Sequence, residues 1–133
     1  MSAKTASPAK YPVLVIEDEP AVMSFVKAAL ERAGYGVVAA VSGAEALTLL
    51  ARQNFLGVVS DMRTPGGVDG DDVHAWLTAN RPELVSRLIF ITGDIINEET
   101  KATLRRTRTP CVEKPFRVQQ LMVVVEKVIG TPQ

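Results

Sequence analysis

Val13-Leu14-Val15-Ile16-Glu17-Asp18-Glu19-Pro20 joins a four-residue apolar run directly to three acids and a proline. The run is short, rich in Val and Ile, and continuous rather than alternating, which marks a strand covered on both faces, as in a parallel sheet. Pro20 suits the first turn of a following helix, where a missing N–H is no loss. The same grammar recurs along the chain. Further apolar runs stand at Val37-Val38-Ala39-Ala40, Gly57-Val58-Val59-Ser60, Leu88-Ile89-Phe90-Ile91 and, more weakly, Cys111-Val112. Helical patterns separate them. Val22, Phe25, Val26, Ala29, Leu30 and Ala33 form the apolar stripe of the first, and Gly34 ends it. Ser42-Gly43-Ala44-Glu45 is a capping box that opens the second, which buries Ala46, Leu47, Leu49 and Leu50. Asp69, Asp71 and Asp72 suit the start of a third, carrying Val73, Trp76 and Leu77 and bounded by Pro82. A fourth, over 97–106, has a thin stripe of Ala102 and Leu104. The fifth, over 117–129, sets Val118, Leu121, Met122, Val125 and Ile129 on one face. Five β-α units with right-handed crossovers predict an α/β, doubly wound parallel sheet.

The bulk numbers agree with one such domain. The chain has 133 residues, 47% of them hydrophobic, which is enough for a core. Lys and Arg number 15, as do Asp and Glu, so the net charge is zero. That balance speaks against a protein that holds nucleic acid or anionic lipid by bulk positive charge. No apolar run reaches the roughly 20 residues that span a bilayer. A single Cys111 and a single His74 make neither an internal disulfide nor a zinc cage. The expectation is a cytoplasmic domain over 11–130, with a flexible lead over 1–10 and a short tail over 131–133.

Ligands in doubly wound folds sit beyond the carboxyl ends of the strands. There the sequence puts Glu17 and Asp18, Asp61, Thr92 and Lys114, one group after each of four apolar runs. Three carboxylates at one edge repel and require a counter-charge, and oxygen-only ligands suit Mg²⁺. A hydroxyl and an ammonium beside that metal can hold phosphoryl oxygens, and an Asp can itself be the nucleophile. The residues describe a Mg²⁺-assisted phosphoryl acceptor.

In this order the motifs resemble those of a response-regulator receiver domain of two-component signalling. The resemblance runs from about Tyr11 to Ile129 and rests on the opening stretch, Val59-Ser60-Asp61-Met62, Pro65, Asp69-Gly70, Ile91-Thr92-Gly93 and Glu113-Lys114-Pro115-Phe116. It implies a flavodoxin-like fold with strand order 2-1-3-4-5 and five helices. It implies that Asp61 accepts a phosphoryl group from a phosphohistidine, and that Thr92 and Lys114 bind the phosphoryl oxygens. Glu17, Asp18, Asp61 and the backbone carbonyl of Arg63 would hold Mg²⁺, and the Lys114–Pro115 bond would be cis. Phosphorylation would then change the surface of helix 4, strand 5 and helix 5. The implied partners are a sensor histidine kinase or phosphotransfer protein and a downstream protein bound by contact. The chain would be a monomer or weak homodimer, with no nucleic acid or membrane partner and no enzymatic activity beyond its own phosphotransfer and dephosphorylation. No output segment follows Ile129, so the expectation is a lone receiver or the receiver piece of a longer chain. Its wording resembles receivers fused behind hybrid sensor histidine kinases.

Three departures from the family pattern stand out. Cys111 occupies the position of the usual aromatic switch. One extra residue lies in Gly66-Gly67-Val68, giving that loop unusual freedom. Arg63 and Asp94 carry opposite charges at two variable positions that in the family flank the acceptor, which suggests a lid over the phosphoryl group. Lys101, Arg105, Arg106 and Arg108 form a basic cluster, either a helix end matched to its dipole or a docking surface for an acidic partner. Val123, Val124 and Val128 extend the fifth helix's apolar surface past its core stripe, as a partner or dimer face would. A haloacid-dehalogenase phosphatase would need a second Asp two residues after its nucleophile. Asp18 is followed by Glu19-Pro20 and Asp61 by Met62-Arg63. A flavin module would need a phosphate-cradling loop after the first run, where this chain has acids.

Overall fold

The computed structural model describes residues 11–132; the expected flexible lead over 1–10 and Gln133 of the tail lie outside them. Five strands, β1 (Val13–Ile16), β2 (Val37–Ala40), β3 (Gly57–Asp61), β4 (Leu88–Thr92) and β5 (Cys111–Glu113), alternate with α1 (Pro20–Arg32), α2 (Gly43–Arg52), α3 (Gly70–Asn80), α4 (Glu98–Thr107) and α5 (Val118–Val128). All pairings are parallel, in the order β2-β1-β3-β4-β5. The chain order reverses at β1, so the crevice beyond β1 and β3 is the topological switch point.

Side-chain alternation along the strands builds two cores. Val13, Val15, Val59, Ile89, Ile91 and Val112 face α1 and α5, where Val26, Leu30, Leu121 and Val125 meet them. Leu14, Ile16, Val58, Leu88 and Phe90 face the other way, onto Ala46 and Leu50 of α2 and Val73 and Leu77 of α3. With both faces covered, the central strands are buried at every position. That double burial is why they read as continuous apolar runs.

Several local expectations are corrected. After α3 the chain does not simply stop at Pro82; it continues as a 3-10 helix, Pro82–Arg87, with Pro82 in its first turn. In α4 the inward positions are Thr100 and Thr103, three apart, whereas Ala102 lies outward, 200° around the helix from Thr100. Val118, the first residue of α5, is 45% exposed rather than in the core, because the helix has only begun to turn toward the sheet there. Phe25 is 39% exposed, with its ring 5.7 Å from that of Phe116 across the start of α5. Trp76 and Cys111 pack at the margin of the second core, both half-buried. Burial of the thiol pushes its pKa up to about 11, and nearby Glu113 adds to the shift.

Candidate functional site

Each strand delivers one element of the site. β1 ends at Ile16; beyond it Glu17 is buried, Asp18 lies at an exposed bend, and Glu19, also exposed, reaches back to Lys114. The Glu17 Oε2 accepts the Glu19 N–H at 3.0 Å. β3 carries Asp61 at its last position, paired in register with Ile91 of β4. The Met62 N–H donates to the Ile91 carbonyl at 2.9 Å and holds the strand end flat. β4 ends in buried Thr92, whose hydroxyl oxygen accepts the Asp94 N–H at 3.1 Å. The Lys114 N–H donates to the Thr92 carbonyl at 2.7 Å, and the Lys114–Pro115 bond that follows is cis.

Lys114 is the hub. Its Nζ lies 3.2 Å from Asp61 Oδ2, 3.0 Å from Glu19 Oε1 and 3.1 Å from Glu17 Oε1. The last contact is an ion pair of poor hydrogen-bond angle, so Glu17 Oε1 is a buried oxygen with no hydrogen-bond donor among the described residues. Burial raises the Glu17 pKa; the Glu19 amide opposes the rise, the Asp61 charge adds to it, and Lys114 opposes it. For Lys114, burial alone works downward, but the hydrogen bond to Glu19 and the charges of Glu17 and Asp61 outweigh it and raise the pKa. The ammonium therefore stays charged throughout the physiological range.

The carboxylates of Glu17, Glu19 and Asp61 each place an oxygen within 4.8 Å of the others. Sequence reasoning missed Glu19. Asp18 is exposed and outside this trio. The donor set is hard oxygen throughout, and one buried carboxylate oxygen lacks a donor; both properties fit a hard divalent cation.

The loop from β3 to α3 borders the cleft. Gly66 and Gly67 take positive φ values of 89° and 82°, with open space where a Cβ would stand, so the extra loop residue is accommodated by glycine. The loop is tied at its ends: Thr64 N–H donates to Asp69 Oδ1 at 3.1 Å and Thr64 Oγ1 to the Val68 carbonyl at 2.5 Å. In this unmodified structure Arg63 is not paired with Asp94. Arg63 Nη2 instead donates to Asn97 Oδ1 at 2.9 Å and pairs with Glu99 Oε1 at 3.1 Å, because the cap and first turn of α4 lie within its reach. Within the basic cluster, Arg106 pairs with Asp71 of α3, and Lys101 with Glu98 at 3.7 Å. Val123 is 66% exposed, outside the stripe as its spacing predicts. No helix among the described residues is long and apolar enough to cross a membrane.

Comparison with known proteins agrees with this geometry. The family model of the response regulator receiver domain matches residues 13–126. The chain is 28% identical over 120 residues to the nitrogen assimilation regulatory protein NtrX of Azorhizobium caulinodans, covering 90% of this chain and 26% of that protein. It is 30% identical over 122 residues to the sensor protein GacS of Pseudomonas syringae pv. syringae, covering 89% of this chain and 13% of that one. It is 29% identical over 120 residues to the response regulator receiver protein CpdR of Brucella abortus, covering 88% and 95%. The chain thus spans about a quarter or less of the first two relatives. Among solved structures, the receiver domain of a sensor histidine kinase from Pseudomonas aeruginosa has a magnesium ion coordinated in its active-site cleft. It superposes with a TM-score of 0.80 at 23% identity, covering 91% of this chain and 98% of that one. Chemotaxis protein CheY4 of Vibrio cholerae gives 0.76 at 24%, covering 89% and 98%. With a five-stranded 2-1-3-4-5 sheet, an acidic pocket at its switch point and a family match over most of its length, the chain belongs to the response regulator receiver domains, the signalling switches of two-component systems.

Proposed function

We propose that Asp61 takes a phosphoryl group from the phosphohistidine of a sensor histidine kinase or phosphotransfer protein, and that the adduct alters the surface of α4, β5 and α5 for a downstream protein. The observation that carries this reading is the Lys114 ammonium held 3.2 Å from Asp61 Oδ2, beside a buried Glu17 oxygen that lacks a donor. An Asp61 oxygen attacks phosphorus; the P–O bond forms as the P–N bond breaks, and the imidazole keeps the bonding pair. Lys114 and Thr92 are the groups proposed to take the phosphoryl oxygens, Lys114 by its charge and Thr92 by its hydroxyl proton. Glu17, Asp18, Asp61 and the Arg63 carbonyl are proposed to hold Mg²⁺, with Asp18 contributing from the exposed rim and Glu19 remaining with Lys114. When bound, Mg²⁺ would neutralise the clustered carboxylates and the phosphoryl oxygens as charge redistributes. Asp94 sits where its N–H already holds Thr92, so the Gly93-Asp94 loop would follow any movement of Thr92. Cys111, in the place of the aromatic switch, offers no ring to rotate, so the signal must leave by another route. The reading makes the chain a cytoplasmic phosphoacceptor rather than an enzyme with external turnover.

Incubation with acetyl phosphate and Mg²⁺, followed by intact-mass measurement, tests this reading. A one-phosphate adduct, lost in Asp61→Asn and on chelation, is expected. An adduct that survives Asp61→Asn, or none with acetyl phosphate or any histidine kinase, refutes it.

A further inference from the structure

Between the β3–α3 loop and α4 lies a cavity of about 80 Å³, lined by Met62, Arg63, Asp69, Glu99, Thr100 and Thr103. The face that α4 turns inward is hydroxyl rather than hydrocarbon: Thr100 and Thr103 are its buried residues, and Thr100 Oγ1 has no hydrogen-bond partner among the described residues. Apart from Leu104, half-buried against the second core, the helix gains little from apolar burial, so its first turn depends on polar ties. Two ties from outside the helix are present. Arg106 pairs with Asp71 near its last turn. At its first turn, one nitrogen, Arg63 Nη2, contacts both Asn97 Oδ1 and Glu99 Oε1. Asn97 Oδ1 is also the cap acceptor of the Thr100 N–H at 3.2 Å, so Arg63 grips the cap itself. The same residue touches the acceptor through its main chain, where the Arg63 N–H donates to Asp61 Oδ1 at 3.4 Å.

Resting on the reading of Asp61 as phosphoacceptor, we infer that Arg63 is a latch: its guanidinium holds the first turn of α4 in the unmodified protein and lets go when a phosphoryl group on Asp61 draws it away from Glu99. The chemistry favours the exchange. Arg63 and Glu99 are 50% and 83% exposed in their side chains, so their pairing is weak and screened. A phosphoryl group two residues away offers oxygens of higher charge, and guanidinium binds phosphate in fork geometry. Releasing Asn97 and Glu99 leaves the first turn of α4 held from within by the Thr100 N–H cap bond, beside a cavity. The latch gives Asp61 a path to α4 that needs no aromatic residue at position 111.

Hydrogen exchange of the full chain, followed by mass spectrometry, tests the latch. Wild type, Glu99→Gln, Arg63→Ala and the double variant are compared in Mg²⁺ buffer with and without acetyl phosphate, and adduct formation is read by mass in each sample. Without the donor, either single variant should speed exchange over 98–103 by about two- to five-fold, the range of an exposed ion pair. The double variant should add nothing further, and 43–52 should stay unchanged as an internal control. Modified wild type should approach the Glu99→Gln rate, and modified Glu99→Gln should change little more. Equal rates over 98–103 in the unmodified wild type and Glu99→Gln overturn the latch, as does an undiminished response of Glu99→Gln to modification. Absence of the adduct in wild type refutes the reading of Asp61 and the release step with it, while the unmodified comparison still reports whether Arg63 holds α4.

Discussion

Lys114→Met removes a cation that sits 3.0 to 3.2 Å from three carboxylates and leaves the side chain's length nearly intact. Stripping one partner from a buried ion pair costs about 3–5 kcal/mol when the remaining charge has no escape. Here Glu17 has one, because it can take a proton. Its ordinary value is 4.5, and burial already raises it. Protonating such a carboxyl at pH 7 costs at most about 3.4 kcal/mol, from roughly 1.36 kcal/mol per pH unit over the gap between 4.5 and 7. That sum caps the penalty. The sign follows from linkage: in the variant, native Glu17 binds its proton more tightly than unfolded Glu17, so stability falls as pH rises above about 4.5. Urea denaturation in chelator should therefore show Lys114→Met less stable than wild type by about 2–3 kcal/mol at pH 7, and by under about 1 kcal/mol at pH 5. A deficit equal at both pH values would refute the argument, since it would mean that Lys114 matters through the packing of its stem rather than its charge.

Three further outcomes follow from other parts of the molecule. At Gly70 an added Cβ would lie 2.8 Å from Phe90 Cε1 and 3.2 Å from Met62 Cα, so Gly70→Ala should lose about 1–3 kcal/mol in thermal or urea unfolding, and Phe90→Leu in the same chain should recover part of it. With its thiol pKa raised to about 11, native Cys111 is only about 0.1% thiolate at pH 8; iodoacetamide should label it slowly, and unfolding should speed labelling at least about 100-fold. His74 titrates below its ordinary value because of burial and then Arg106, partly offset by Asp71. Its unfolded form takes protons first, so wild type should lose stability as pH falls below about 6.5, and His74→Gln should flatten that slope.

The central strands β1, β3 and β4 were legible because burial on both faces leaves them almost wholly apolar before their last residues, and β2, half-buried at the sheet edge, was legible from its run of small and branched apolar residues. Four of the candidate site residues, Glu17, Asp61, Thr92 and Lys114, were legible for the same reason, since each follows such a run. Glu19 was hidden by proximity: three consecutive acids look equivalent, and only the bend at Asp18 and the position of Lys114 in space set Glu17 and Glu19 together and leave Asp18 apart. α4 misled for a different reason. Its inward residues are threonines, so a search for apolar spacing settles on Ala102, which faces out. The partner of Arg63 depends on where the cap of α4 falls in space, and no local pattern encodes that.

At the end of the sheet remote from the cleft, Ile129 packs so closely over Gly57 that a Cβ there would meet three of its carbons within 3 Å, and the Tyr35 hydroxyl donates to the Gly130 carbonyl. That pole is clamped by hydrocarbon interlock. The cleft pole is mixed: Gly43 packs closely on Val68 and Gly70 on Phe90, and Lys114 draws three carboxylates together, but Gly66 and Gly67 stand unhindered and the first turn of α4 is tied by an exposed ion pair. Compliance at the carboxyl ends is thus confined to the tip of the β3–α3 loop and the start of α4, and strain introduced there is channelled into those two segments rather than into the sheet.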